Sequence, residues 1–415
     1  MTTSDTALAV AGGVAERLAT PEQGFERSRD QWWPQSLAQG AAGIALLHIE
    51  RARTGHGSWE PVHLWLKAMV ADGVKASPDA HLFFGAPAVL LALHHAESAG
   101  LDCGGELTRL DPVLLRGVRR RLGWAHERAD RGELPTLTEF DAIRGLTGLG
   151  HLLMLRAPES AELRQVMEYL VRLSEPVVLA DGGEVPGWWT RVGPSGKPSD
   201  AFPGGHANHG MAHGIGGPLA LLSLALIDGV RVPGQPEAIR RILAWLDTWH
   251  NDGPGGTWWP YWATAAQHQG AEQVTGPQRP SWCYGAGGLG RAQQLAAGAL
   301  GDTERAASAR QTLTDVLTHS ISLGMVVDDS LCHGWAGHAL LAHTSGLGHP
   351  FDLLAPILSG GDPDVVAEQL LAPRGPRSGI GMLEGGAGTA TALHTLGSGS
   401  ASSWFSFLLI GDSHG

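Results

Sequence analysis

The sequence lacks a run of about 18 apolar residues that would cross a membrane as a helix. Met1–Gly13 has no basic stretch followed by an apolar run and a cleavage site, so no secretory signal is read there. Cysteine is scarce: Cys103, Cys283 and Cys332 are the only three in 415 residues. An odd, low count without an export signal excludes a disulfide framework and fits a reducing cytoplasm, where thiols stay available to metal. Basic residues are outnumbered, with 29 Lys and Arg against 41 Asp and Glu. The net charge of −12 is spread without a long acidic run, so neither nucleic acid nor an anionic membrane surface is an expected partner. Charged residues reach only 17% and hydrophobic ones 43%, which describes a chain with a large core rather than a disordered one. No phosphate-binding loop or kinase signature is present.

Glycine, in contrast, is abundant, and its placement organises the chain. A small-residue turn with glycines three apart precedes an apolar run seven times. The copies are Gly40-Ala-Ala-Gly43, Gly85-Ala-Pro-Ala88, Gly145-Leu-Thr-Gly148, Gly214-Ile-Gly-Gly217, Gly285-Ala-Gly-Gly288, Gly334-Trp-Ala-Gly337 and Gly385-Gly-Ala-Gly388. The second has Ala88 in place of its second glycine. Between copies lie amphipathic segments, such as Ser58–Ala76, Asp111–Asp130, Ala161–Leu173, Pro236–Trp249 and Asp302–His319, with apolar residues at i, i+3, i+4 and i+7. The runs after the glycines, such as Leu219–Ile227, are apolar or small nearly all round. Paired helices of these two kinds predict an all-α fold, an α/α barrel with buried inner and amphipathic outer helices. An open solenoid is the main alternative. In a barrel all seven turns would sit at one end. No linker separates domains, so one domain over 1–415 is expected. Two long connections, Glu175–Gly210 and Asn251–Trp282, carry Trp188, Trp189, Trp258, Trp259, Tyr261 and Trp262. These aromatics either line a peptide groove or cap the barrel end.

Three turns carry metal-type residues: Trp282-Cys283-Tyr284-Gly285, Leu331-Cys332-His333-Gly334 and Ala212-His213-Gly214. Two cysteines and a histidine at one phase of neighbouring repeats would converge on one point. Zinc suits two thiolates and an imidazole, and three protein ligands with an open fourth position form the catalytic pattern.

The run Ser281-Trp-Cys-Tyr-Gly-Ala-Gly-Gly288, with Cys-His-Gly at 332–334 and His-Gly-Ile-Gly-Gly at 213–217, resembles the lanthipeptide cyclase (LanC-like) family over nearly the whole chain. The resemblance implies an α/α toroid of seven inner and seven outer helices. It implies one Zn²⁺ per chain, held by Cys283, Cys332 and His333. It also implies catalytic roles for His213, for Asp141 ahead of the third turn, and for Arg279, four residues before Cys283. On the residues alone, Asp141 also reads as a helix cap, His213 as an interior histidine and Arg279 as a loop charge. His206 and His209 read as loop residues that could contact substrate.

The activity implied is Michael-type addition of a peptide cysteine to dehydroalanine or dehydrobutyrine, giving a lanthionine or methyllanthionine thioether. His213 is the expected proton donor, Asp141 its tautomer-holding partner, and Arg279 a stabiliser of the enolate or a holder of Asp141. With no second catalytic module in the chain, dehydration falls to a separate dehydratase, and the substrate is a dehydrated precursor peptide with its leader. Competing expectations are glutathione addition to dehydrated residues, another α/α-toroid enzyme, and a non-catalytic zinc-bearing peptide scaffold. That last reading would gain from a fourth protein ligand, such as His209.

Overall fold

The computed structural model describes residues 2–28, 33–180, 182–373 and 379–411. The chain divides into two compact units. One comprises the described residues of 1–114 and 326–405, the other those of 115–325 and 406–413. Both are built from the two kinds of helix expected.

In the first unit the glycine-led helices are Ala41–Arg53, Ala86–Ser98, Trp335–Ser345 and Gly386–Ser398. They pack side by side in the order 86–98, 41–53, 386–398, 335–345. Amphipathic helices cover them: Trp59–Val70 lies on 41–53, and Pro350–Leu358 on 335–345. The last glycine-led helix is covered by the chain's beginning, Thr3–Arg17. That helix opens with a capping box between Thr2 and Asp5, which satisfies backbone donors that have no intrahelical acceptor. At its other end the Leu18 carbonyl accepts from His48 Nε2 at 2.7 Å and from Trp65 Nε1 at 2.8 Å, tying three helices together.

In the second unit the glycine-led helices Leu146–Arg156, Gly216–Ile227 and Ala286–Leu300 pack in that order. Their covers are Ala161–Leu173, Gln235–Thr248 and Thr303–Thr318. Leu163, Val166, Met167, Leu170 and Leu173 make the one-sided apolar stripe of the first cover, and Ser160 caps its start by accepting from the Leu163 N–H at 3.2 Å. Gly216–Ile227 presents no charged residue and is buried on nearly every side. The predicted segment Asp111–Asp130 is the later part of a longer helix, Gly104–Asp130. The apolar segment Ser406–Ile410 is buried in this unit: Trp282 Nε1 donates to the Leu408 carbonyl at 2.8 Å, and Arg291 Nε to that of Ile410 at 2.7 Å.

Within each unit, at least one backbone bond stitches every glycine turn to the next. In the first unit Cys332 N–H donates to Leu383 O, Met382 to Ala38 and Leu37 to Phe83, at 2.8–3.0 Å. In the second, Ala142 donates to Ala212 at 3.1 Å and Ala212 to Cys283 at 3.3 Å. Donors and acceptors all lie two or three residues before a turn's first glycine. The repeat phase read from sequence is therefore a spatial register within each unit.

The long connections are not purely irregular. His206–Asn208 pairs antiparallel with Trp262–Thr264, joining one connection to the other. Val177–Val178 pairs with Glu184–Val185, and Asn251–Gly253 with Gly256–Trp258. Trp188, Trp189, Trp258 and Trp259 are buried, while Tyr261 and Trp262 stay partly exposed. Four of the six aromatics thus serve the core rather than an open groove.

Candidate active site

The third and fourth turns supply an acid–base pair. Asp141 ends the short helix Leu137–Phe140, and its side chain is fully buried. Its Oδ1 accepts the N–H groups of Arg144 and Gly145 at 2.5 and 2.8 Å, capping the third turn. Its Oδ2 accepts the Nδ1–H of His213 at 2.7 Å. Capping and holding the histidine are therefore not alternatives, because one carboxylate does both with separate oxygens. The His213 side chain is 38% exposed. Burial lowers its pKa, but the bond and charge of Asp141 and the nearby Cys283 outweigh that, and the net shift is upward.

Cys283 follows in the fifth turn and is buried. Gly285 there has φ +89°, and a Cβ on it would press on the Arg279 carbonyl at 2.5 Å, so the turn depends on glycine. That carbonyl also accepts from the Tyr261 hydroxyl at 3.0 Å. Arg279 Nε is buried without a hydrogen-bond partner. Asp141 takes its bonds from Arg144, Gly145 and His213. The neighbouring Tyr284 stacks at a tilt on Tyr261, ring centres 5.1 Å apart, and its hydroxyl accepts from Asn208 Nδ2 at 3.1 Å.

The sixth turn carries Cys332 and His333. His333 Nε2 donates to Asp328 Oδ2 at 2.9 Å. Asp328 Oδ1 accepts the Ser330 N–H at 2.9 Å. Burial raises the Asp328 pKa, but the bonds from His333 and Ser330 dominate and hold it well below the usual carboxylate range. Sequence reasoning missed Asp328. The signal was an acidic residue just ahead of a glycine turn, the feature that drew attention to Asp141.

Cys283 of the second unit and Cys332 and His333 of the first offer two thiols and an imidazole, a group that could hold a metal ion. Both cysteines are buried and outside any disulfide. Two soft sulfurs and one imidazole are a donor set that fits zinc.

The loop reading is corrected for His206, which lies within a strand; His209 lies in irregular backbone just after it, and both are fully buried. His209 Nδ1 donates to the Pro260 carbonyl at 2.9 Å, and its Nε2 accepts from Trp245 Nε1 at 3.0 Å. With both nitrogens engaged, His209 is no candidate for a fourth metal ligand.

The family model described as lanthionine synthetase C-like protein matches residues 31–345. The chain belongs to the lanthionine synthetase C-like family. Among solved structures, nisin cyclase matches with a TM-score of 0.73 and 20% sequence identity, covering 93% of this chain and 94% of its own. At that identity the likeness concerns the fold, which is the mostly helical α/α toroid expected from the repeats. No curated relative matches the chain. No helix among the described residues is long and apolar enough to cross a membrane.

Proposed function

We propose that this member of the lanthionine synthetase C-like family closes thioether rings in a dehydrated peptide, with zinc held by Cys283, Cys332 and His333. The observation that carries the reading is the recurrence of two cysteine thiols and an imidazole, a donor set for a metal ion, at one phase of the glycine turns. Zinc held there would lower the pKa of an incoming thiol, which is about 8.5 when free, so that thiolate is present at neutral pH.

The chain's own residues serve the rest of the addition. The peptide thiolate attacks the β-carbon of dehydroalanine or dehydrobutyrine, and a carbon–sulfur bond forms as the carbon–carbon π bond breaks. The displaced electron pair becomes an enolate on the neighbouring carbonyl. Arg279, whose buried Nε lacks a partner, is the cation available to that charge. The α-carbon then takes a proton. His213 is its source, because Asp141 fixes its Nδ1–H and raises its pKa above the ordinary histidine value, favouring the protonated ring. The substrate is then a leader-bearing precursor peptide dehydrated by a separate enzyme in the cytoplasm, and 1–415 acts as a single catalytic domain.

Ring closure leaves mass unchanged but consumes thiols. Incubating zinc-loaded protein with a dehydrated, cysteine-containing precursor should therefore remove sites for thiol alkylation, as counted by mass spectrometry. Undiminished alkylation would refute the cyclase reading. A parallel arm with glutathione separates intermolecular thiol addition, which raises the peptide mass, from ring closure, which does not.

A further inference from the structure

Holding a metal at one ring nitrogen requires the other nitrogen to carry the proton. A ligand histidine is commonly fixed in that state by a carboxylate or carbonyl behind it. In the sixth turn the group behind His333 is Asp328. Its two oxygens are divided: Oδ1 receives the Ser330 N–H at 2.9 Å, and Oδ2 receives the His333 Nε2–H at 2.9 Å. The first bond belongs to the turn. The second reaches a side chain five residues on and does nothing for the backbone.

The turn itself is held tightly by its main chain. The Asp328 carbonyl accepts the Trp335 N–H at 3.0 Å, and the Gly334 N–H donates to Ser330 at 3.1 Å. A Cβ on Gly334 would collide with the Ser330 nitrogen, so backbone and Asp328 are packed against each other without slack. Asp328 is thus a rigid platform, with 29% of its side chain exposed and one oxygen aimed at an imidazole.

We infer that Asp328 is a positioning residue for the metal centre: its Oδ2 keeps the His333 ring proton on Nε2 and turns Nδ1 outward as the ligand atom. This rests on the reading of Cys283, Cys332 and His333 as the zinc site and extends it to the group that sets the ligand's tautomer and angle.

Asp328→Asn separates the two bonds. Its amide oxygen can still accept the Ser330 N–H. The fourth turn shows that asparagine builds this backbone, because Asn208 Oδ1 accepts the Gly210 N–H at 2.9 Å and the Asn208 carbonyl accepts the Ile215 N–H at 2.9 Å. With that oxygen occupied, the side-chain atom facing His333 Nε2 becomes an NH₂ group, which cannot accept its proton.

The experiment is competition for zinc against a chelator of known affinity, in wild type, Asp328→Asn and Asp328→Glu. Circular dichroism and thermal melting of the metal-free proteins serve as controls. Zinc affinity should fall roughly 10- to 100-fold in Asp328→Asn, as for other outer partners of ligand histidines. Metal-free melting should stay near wild type, and Asp328→Glu should recover part of the loss. The visible spectrum of the Co²⁺-substituted variant should shift, reporting a changed ligand geometry. Wild-type affinity in Asp328→Asn would overturn this assignment while leaving the zinc site standing. A wild-type chain that takes up no zinc would overturn the metal reading and the Asp328 role with it.

Discussion

The fourth and sixth glycine turns share a backbone and differ by one atom in function. Asn208 and Asp328 each stand six residues before the turn's first glycine. Each side chain accepts the N–H two residues on, at 2.9 Å. Each carbonyl accepts the N–H of the residue after that glycine, Ile215 at 2.9 Å and Trp335 at 3.0 Å. Each turn places a histidine directly before the glycine. What differs is the remaining side-chain atom. Asp328 spends an oxygen on its own His333. Asn208 offers an amide N–H instead, gives it to Tyr284, and leaves His213 to Asp141 of the third turn. The result is two opposite ring orientations. His333 is held at Nε2 and presents Nδ1, while His213 is held at Nδ1 and presents Nε2. On the proposed function, one repeated turn serves as a metal ligand in one place and a proton donor in the other.

The largest expected effects come from breaking the two turns separately. Cys332→Ala removes a thiolate and should abolish both zinc content, measured by elemental analysis, and ring closure. Cys283→Ala should do the same. His213→Asn should retain full zinc and slow ring closure by roughly 10²- to 10⁴-fold, the range expected when a positioned acid is lost. If His213→Asn lost its zinc, or Cys332→Ala kept it, the division of labour between the turns would be wrong.

A finer effect concerns the carboxylate behind His213. Asp141→Asn keeps an acceptor near Nδ1 but removes the charge that raises the histidine's pKa. An acid with a raised pKa stays protonated to higher pH, so wild-type ring closure should decline only as pH climbs through that value. In Asp141→Asn the alkaline limb should move to lower pH, read from rate against pH with saturating dehydrated peptide. An unmoved limb would assign the proton to another group.

How much of this was legible follows from the range of each interaction. The seven turns and the phase of Cys283, Cys332 and His213 are local patterns, and glycine spacing reveals them without any contact map. Asp141 was visible only as a residue with two readings, because its Oδ2 partner lies 72 positions away. Asp328 lay within five residues of His333, yet nothing in a one-dimensional pattern distinguishes a carboxylate that turns back on its own loop from one facing solvent. The burial of His209 was hidden for the same reason. Its partners, Pro260 and Trp245, come from the other long connection and from a covering helix. That Thr3–Arg17 covers the last glycine-led helix was equally hidden, since those elements stand at opposite ends of the sequence.

His209 and His213 sharpen the comparison further, because they lie four residues apart and should respond to pH with opposite signs. Burial is the main influence on His209, with His206 adding to it and the Pro260 bond opposing, and its pKa is pushed down to about 4 from 6.5. Between those values the unfolded chain binds a proton that the folded chain refuses. The stability tied to a neutral His209 is therefore complete above pH 6.5 and lost as pH falls towards 4, on the order of 3 kcal/mol. His213, with its raised pKa, contributes stability that is complete below 6.5 and lost as pH rises through the raised value. Urea unfolding of metal-free protein at a series of pH values should show the acid loss. His209→Gln can still donate to the Pro260 carbonyl or accept from Trp245 but cannot titrate, so its curve should start lower and run flatter between pH 7 and 5. Surface carboxylates titrate alike in both proteins, and the difference between the curves isolates the histidine. Parallel curves across that range would mean that His209 enters the folded state without shedding its proton, contrary to its full burial beside Pro260 and Trp245.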